Sequence, residues 1–137
     1  MALLGGVRSE AETAAYMERN LRHWDAYGFG LWLLRDAATG QVAGRGLLRH
    51  VSLDGRDERE EVEVGYGFHP AWWGRGLAPE IAAECLRLGR EALGLSTIVA
   101  ITRPANLRSQ RVLTRIGMSL EREFELAGER QLLFRTR

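Results

Sequence analysis

Two glycines with an arginine between them form the stretch with the clearest potential chemistry, in the run WWGRGLA at residues 72–78. Gly74 and Gly76 have no Cβ, so the backbone there can adopt positive φ and approach a ligand closely. An apolar-periodic segment follows from Pro79, and a helix that begins here leaves its first N–H groups without intrahelical partners. Those donors and the helix dipole favour an anion, and Arg75 adds a donor suited to phosphate. The simpler alternative is a tight strand-to-helix turn with a solvated arginine.

Two carboxylates precede this stretch on a predicted strand at residues 61–68, EVEVGYGF. The alternation places apolar and aromatic side chains on one face and Glu61, Glu63 and two glycines on the other. The face that carries the glutamates is expected to open to solvent or to a cleft, where a carboxylate could act as a general base. The alternative is that both glutamates are solvated strand residues paired with Arg49 or Arg45 on the neighbouring strand.

A second polar pair, Asn106 and Ser109, stands at the start of a predicted helix over 107–116. A buried strand over 97–102 and a short break precede it. Asn106 on its own is read most simply as the N-cap of this helix. The N-x-x-S spacing also places Ser109 one turn further along, on the same side.

The run E-V-G-Y, a short gap containing His-Pro, and then W-W-G-R-G-L-A resembles the central motif of the GNAT superfamily of acetyl-CoA-dependent N-acetyltransferases. It is most similar to the branch that includes ribosomal-protein N-terminal acetyltransferases. The superfamily pattern is Gln/Arg-x-x-Gly-x-Gly/Ala, and Trp73 occupies its first position, a departure familiar in that branch. The resemblance runs from about Gly28 to the C-terminus and is specific in residues 61–118.

This resemblance implies acetyl-CoA as co-substrate. The pyrophosphate would bind the backbone of a loop formed by Trp73, Gly74, Arg75, Gly76, Leu77 and Ala78. The pantetheine arm would enter between the central strand and the strand at 97–102, and would bond the backbone of Phe68 and His69. Asn106 would contact the pantetheine amide, and Ser109 would face the cofactor.

The resemblance also implies direct acetyl transfer to a primary amine, such as a protein N-terminus or a small molecule. Glu63 is then the candidate base and Glu61 the fallback. Leu113 stands where many members carry an acidic tyrosine, so Ser109 is the remaining hydroxyl. Trp72, Trp32 and Tyr66 could line an acceptor pocket or simply belong to the core. The alternative function is a non-catalytic CoA-binding or regulatory module of the same fold.

Composition sets further bounds. A chain of 137 residues, 45% apolar and 27% charged, predicts one globular domain over 1–137. The net charge of +1 gives no reason to expect nucleic-acid or membrane partners. The three histidines lack metal-ligand spacing, so no metal is expected. A single cysteine, Cys85, and the absence of a signal-like start predict a cytoplasmic protein.

The predicted order of elements is α-β-β-β-α-β-α-β-β, with the first helix over 9–27 and the helix behind the glycine loop over 79–93. This order predicts an α+β fold with a mixed, mostly antiparallel central sheet flanked by helices. The family's usual first strand is not recognisable in residues 1–8. An edge strand over 29–35 would then lack a neighbour, which predicts a homodimer near this edge.

Overall fold

The computed structural model describes residues 9–137, which form three α-helices and six β-strands. In chain order the elements are α1 (Glu10–Tyr27), β1 (Leu31–Arg35), β2 (Val42–Val51), β3 (Glu61–Phe68), α2 (Leu77–Glu91), β4 (Val99–Thr102), α3 (Leu107–Arg115), β5 (Met118–Leu126) and β6 (Glu129–Thr136). A 3₁₀ turn at Pro70–Trp72 lies between β3 and α2. The predicted order of elements is confirmed.

The six strands form one sheet in the order β1-β2-β3-β4-β6-β5. Only β3 and β4 run parallel, and the other neighbours are antiparallel. The connection from β3 to β4 therefore crosses the sheet through α2, which packs against β2 and β3. The predicted α+β class, with a mixed and mostly antiparallel sheet, is confirmed.

Apolar side chains cover both faces of the sheet. The larger cluster includes Val62 and Val64 of β3, Leu86 of α2 and Leu113 of α3, so it lies between the sheet and these two helices. A smaller cluster on the other face joins Val99 to residues of neighbouring strands. Because Val99 and Ala100 of β4 enter opposite clusters, β4 is buried on both faces, as its continuous apolar run predicts.

Local signals account for the helix ends. Ser9 accepts a hydrogen bond from the Glu12 N–H, and the Glu12 carboxylate accepts one from the Ser9 N–H, so the two residues form a capping box at the start of α1. Helix α2 begins at Leu77, two residues before the predicted start, since Gly76 serves as its N-cap with φ 72°. Pro79 is then the third helical residue, where its missing N–H costs no helical bond.

Two expectations at the beginning of the chain had different outcomes. The predicted strand over 29–35 begins only at Leu31, although the Gly30 carbonyl still accepts a hydrogen bond from the Leu48 N–H. The expectation that residues 1–8 lack the family's first strand falls outside the residues that the structure describes.

Candidate active site

The two parallel strands pair over a short distance, and a cavity lies beside one of them, β3. Strands β3 and β4 share one register pair, Glu63 with Val99, and separate beyond it. A cavity of about 320 Å³ lies beside the diverging end of β3. Its lining comes from β3, the glycine loop at residues 73–78 and the first turn of α3. This single point of pairing agrees with the family resemblance, which implies that a pantetheine arm enters between the two strands.

The glycine loop contributes five of the six predicted loop residues to this lining: Trp73, Gly74, Gly76, Leu77 and Ala78. Gly74 and Gly76 have φ of 77° and 72°, a conformation that other residues adopt only with strain. Within residues 9–137 no side chain caps α2, so its first N–H groups are open to a ligand there. Arg75 is exposed, lies 5.9 Å from the Trp72 ring and does not line the cavity.

Phe68 and His69 differ in what their backbones can offer. The His69 N–H donates to the Ala43 carbonyl at 2.8 Å, and the His69 carbonyl accepts from the Trp72 N–H at 2.9 Å. The His69 N–H is therefore already used within the protein, and only the second lone pair of its carbonyl is left for the predicted contact with pantetheine. The alternation of an antiparallel ladder turns the Phe68 N–H away from β2 and towards the gap. The Phe68 carbonyl accepts from the Trp73 indole at 2.8 Å, which fixes the loop to the strand.

Asn106 caps α3 and also lines the cavity. Its Oδ1 accepts from the Ser109 N–H at 3.1 Å, so it is the N-cap of α3. It also lines the cavity, and the capping bond uses only its oxygen. The amide nitrogen of the same side chain is therefore suited to donate to a carbonyl in the cavity.

Ser109 and Tyr66 meet across the cavity wall. The Ser109 Oγ lies 3.1 Å from the Tyr66 Oη, and both residues line the cavity. Burial raises the pKa of Tyr66, and the hydrogen bond to Ser109 lowers it by a smaller amount. The sequence placed Tyr66 only among residues of the core or an acceptor pocket. The position of its hydroxyl in the site depends on how α3 packs against β3, which the sequence does not show.

Glu63 lies on the opposite face of β3 from the two helices and does not line the cavity. The strand face that carries it is not open as expected, since Glu63 is only 8% exposed. Arg49, its register partner on β2, covers it and donates from Nε to Oε1 at 3.0 Å. The pairing with Arg49 considered from the sequence is correct, whereas Arg45 bonds the Tyr16 hydroxyl instead. Glu63 is also the last residue of β3 that pairs with β4, so it stands where the two strands part.

Glu61, the fallback base, is held in the same way. Its carboxylate lies 2.7 Å from an Arg135 guanidinium nitrogen. Arg135 is also bonded to Glu121. Glu61 stands two residues further from the point where the strands separate, which makes it the less suitable of the two carboxylates.

The charged residue of the cavity lining was not identified from the sequence. Arg108, in the first turn of α3, lies with its guanidinium carbon 4.7 Å from the centre of the Trp73 ring. This contact links the glycine loop to α3 across the mouth of the cavity. Of the remaining aromatic candidates, Trp72 lines the cavity and Trp32 packs against the core.

Residues 9–137 contain neither an evident metal site nor a membrane-spanning helix. No group of three or more His, Cys, Asp or Glu side chains in that range is arranged to hold a metal ion. None of the helices described there is long and apolar enough to cross a membrane.

The sequence of the chain is similar to a known protein family and to a bacterial relative. Residues 1–119 match the family model described as "Acetyltransferase (GNAT) domain". The uncharacterized protein YkkB of Bacillus subtilis is 30% identical over 118 residues, which are 86% of this chain and 67% of YkkB. The chain thus spans about two thirds of the length of this relative.

Solved structures give the same picture of the fold. An acetyltransferase from Agrobacterium tumefaciens superposes with a TM-score of 0.84 at 26% identity, covering 99% of this chain and 77% of that one. A ribosomal-protein-S5-alanine acetyltransferase from Vibrio fischeri has a TM-score of 0.76 at 19% identity, with 95% and 75% covered. At 19% identity, the similarity to the Vibrio fischeri protein shows a shared fold only.

Proposed function

The chain belongs to the GNAT acetyltransferase family, and from this premise we propose that it transfers an acetyl group from acetyl-CoA directly to a primary amine. One observation carries the proposal. The start of α2 and the N-cap of α3 line a single cavity beside the part of β3 that lies beyond its one register pair with β4. An anion site and a polar strand edge beside one elongated gap suit a phosphate-bearing thioester with an amide-containing arm.

Each part of acetyl-CoA has a proposed contact. The pyrophosphate binds the open N–H groups of the glycine loop, with Arg75 and Arg108 as flanking cations. The pantetheine arm accepts a hydrogen bond from the Phe68 N–H and another from the Asn106 amide. The thioester then lies near Ser109, and the amine approaches from the face of the sheet that carries Glu63.

Glu63 takes the proton that the amine must lose, directly or through a water. The amine nitrogen attacks the acetyl carbon, the C–S bond breaks, and its electron pair stays on sulfur. Since the acetyl group passes straight to nitrogen, no metal and no covalent enzyme intermediate take part. Cys85, the one cysteine, is buried in the core, and its pKa is raised to about 11, so it is unsuited to act as a nucleophile.

The acceptor is proposed as a class, namely a primary amine of a protein N-terminus or of a small molecule. The Vibrio fischeri neighbour is named for an alanine of ribosomal protein S5. A buried free thiol also suits a reducing compartment, so we place the protein in the cytoplasm. Cell fractionation with a tagged chain tests that location.

The test is coenzyme A release from acetyl-CoA with a panel of amines, including N-terminal alanine peptides, amino acids and polyamines. Calorimetric titration with acetyl-CoA runs in parallel. Micromolar binding together with amine-dependent release of coenzyme A supports the proposal. Absence of binding contradicts it.

The alternative is a CoA-binding module without turnover, and two observations favour it. Glu63 is engaged by Arg49, and Leu113 replaces the tyrosine that many members of the family use. Acetyl-CoA binding without release for every amine of the panel would support this alternative.

A further inference from the structure

The helix position that carries an acidic tyrosine in many GNAT enzymes is apolar here. Leu113 is 1% exposed and lies in the core cluster between the sheet and the helices. Tyr66 of β3 packs against the same cluster, and its hydroxyl lies within hydrogen-bond distance of the Ser109 hydroxyl of α3. A tyrosine hydroxyl therefore reaches the cavity from the strand instead of from the helix.

We propose that Tyr66 and Ser109 form a hydroxyl pair that stabilises and protonates the thiolate of coenzyme A, with Ser109 nearest the sulfur and Tyr66 acting through it. The proposal rests on the proposed function for the identity of the ligand. It assigns to Tyr66 a role that Ser109 alone fills poorly, because an alcohol is a much weaker acid than a phenol.

We take Tyr66 as the donor of the pair, because a phenol is a stronger donor than an alcohol and Oγ is the nearer of its two acceptors. The Tyr66 Oη lies 3.1 Å from the Ser109 Oγ and 3.4 Å from the Ser109 carbonyl oxygen. When Tyr66 donates to Oγ, the Ser109 hydroxyl hydrogen is free to point into the cavity. The Asn106 side chain accepts from the Ser109 N–H at the same time, which holds this turn of α3 in place.

The proton balance closes over one turnover. The thiolate takes the Ser109 hydroxyl proton, and Ser109 recovers one from Tyr66. Tyr66 is restored by a proton from water, equivalent to the one that the amine gives up through Glu63. Burial raises the pKa of Tyr66, so its hydroxyl is fully protonated at neutral pH before each transfer.

Steady-state kinetics of Tyr66→Phe, Ser109→Ala and the double variant provide the first test, with Tyr27→Phe as the matched control. Tyr27 does not line the cavity, so its hydroxyl is a fair reference. We expect each site variant to lower kcat by roughly 10-fold or more, with the dissociation constant of acetyl-CoA within about two-fold of the parent. Because the two hydroxyls act as a unit, the double variant should be no slower than the slower single variant.

The second test needs no acceptor amine. Ionisation of the thiol of bound coenzyme A is followed by its ultraviolet absorption between about pH 6.5 and pH 9. The Cys85 thiol stays protonated in this window because burial raises its pKa to about 11. Loss of a hydrogen bond to the thiolate should move the midpoint upwards by about one pH unit in Tyr66→Phe, and not in Tyr27→Phe.

The outcomes separate the two proposals. An unchanged kcat and an unchanged thiol midpoint in folded Tyr66→Phe would overturn the hydroxyl pair while leaving the acetyltransferase intact. If the parent binds coenzyme A but turns over no amine, the proposed function fails. The pH midpoint of ionisation of the bound thiol then still shows whether Tyr66 stabilises the thiolate. Fully multiplicative losses in the double variant would also contradict a pair that acts as a unit.

Discussion

The ion pair between Glu63 and Arg49 determines how removal of the Glu63 charge should act. Glu63→Gln keeps the shape of the side chain and a hydrogen-bond acceptor for the Arg49 Nε. We expect kcat/KM at neutral pH to fall by about 10²–10⁴-fold, because a general base is lost, while acetyl-CoA affinity is nearly unchanged. Rates measured across pH, together with calorimetric titration, check this expectation.

Glu61→Gln is the control for this prediction, since it also removes a strand carboxylate from an arginine pair. It should leave the rate within a few-fold of the parent. If Glu63→Gln keeps the full pH–rate profile, the base is Glu61 or a chain of waters.

His50 links the protonation state of one ring to the stability of the fold. Its ring lies among Tyr27, Phe29 and His23, and its buried Nδ1 has no hydrogen-bond partner within residues 9–137. Burial lowers the pKa of His50 below 6.5, and His23 and Arg59 lower it further. The Glu61 backbone and Asp57 act in the opposite direction with smaller effects.

A lowered pKa means that the unfolded chain binds a proton that the folded protein does not. The contribution of His50 to the free energy of unfolding should therefore be constant above about pH 6.5. It should fall as the pH drops below that value. Urea unfolding at pH 7.5, 6.5 and 5.5 measures it. His50→Phe, which keeps an aromatic ring in the cluster, should flatten the decline, and an identical decline in that variant would contradict the assignment.

At the scale of elements, the glycine loop and the start of α2 form one unit. Gly76 combines φ 72° with the N-cap position, and open space surrounds the site of a Cβ. Gly76→Val should cost about 1–2 kcal/mol of stability through strain and should weaken acetyl-CoA binding at least roughly 10-fold, because the side chain would occupy the space of the phosphates.

Gly55→Val separates these two effects. Gly55 has φ 80°, and no atom of residues 9–137 lies within 4 Å of the place of its Cβ. It lies in the loop between β2 and β3, whose residues 54–59 read DGRDER, and it does not line the cavity. The control should lose similar stability and keep its affinity for acetyl-CoA in calorimetric titration. Unchanged affinity in folded Gly76→Val would exclude the loop as the pyrophosphate site.

Sequence patterns located most elements because each has a strong local cause. Alternation predicted the full extent of β3, Glu61–Phe68, and the first helix was predicted over 9–27, within one residue of α1. The start of α2 was misplaced because Pro79 is the more visible signal, whereas Gly76 acts through a left-handed backbone. Local patterns therefore serve best where side-chain periodicity and capping act together.

The site residues also fall into those that local sequence features predict and those that depend on contacts between distant elements. The sequence located the glycine loop and Asn106, since a turn and a cap are local features. It missed the burial of Glu63 and the contact between Tyr66 and Ser109, because each requires a partner from another element. Register across strands and the packing of α3 on the sheet are long-range properties that no local pattern records.

At the scale of the whole molecule, the two edges of the described sheet differ in character. Strand β5 carries Glu121, Arg122, Glu123 and Glu125, charges that discourage pairing with another chain. Strand β1 reads LWLLR and has no strand on its outer side among residues 9–137. Trp32 is packed into the core, so the apolar surface at this edge is smaller than the sequence predicts.

Leu33 is the exposed apolar residue of this edge, at 49%. The Gly30 carbonyl accepts from the Leu48 N–H, and ladder alternation then turns the backbone groups of Leu31 and Leu33 outwards. The Leu31 carbonyl is already bonded by the Trp24 indole at 2.9 Å. The Leu33 N–H and carbonyl are therefore the groups best placed to pair with a second copy of the chain.

The homodimer remains a prediction, now centred on Leu33. Light scattering over a range of micromolar concentrations should give a mass that rises towards twice 15.4 kDa. Leu33→Lys should shift this transition to higher concentration, because a charge at the centre of a paired edge is costly to bury. Leu120→Lys on β5, where the native leucine is 54% exposed, should leave it unchanged. A strict monomer at high micromolar concentration, with rapid amide exchange at Leu33, would show that water satisfies this edge.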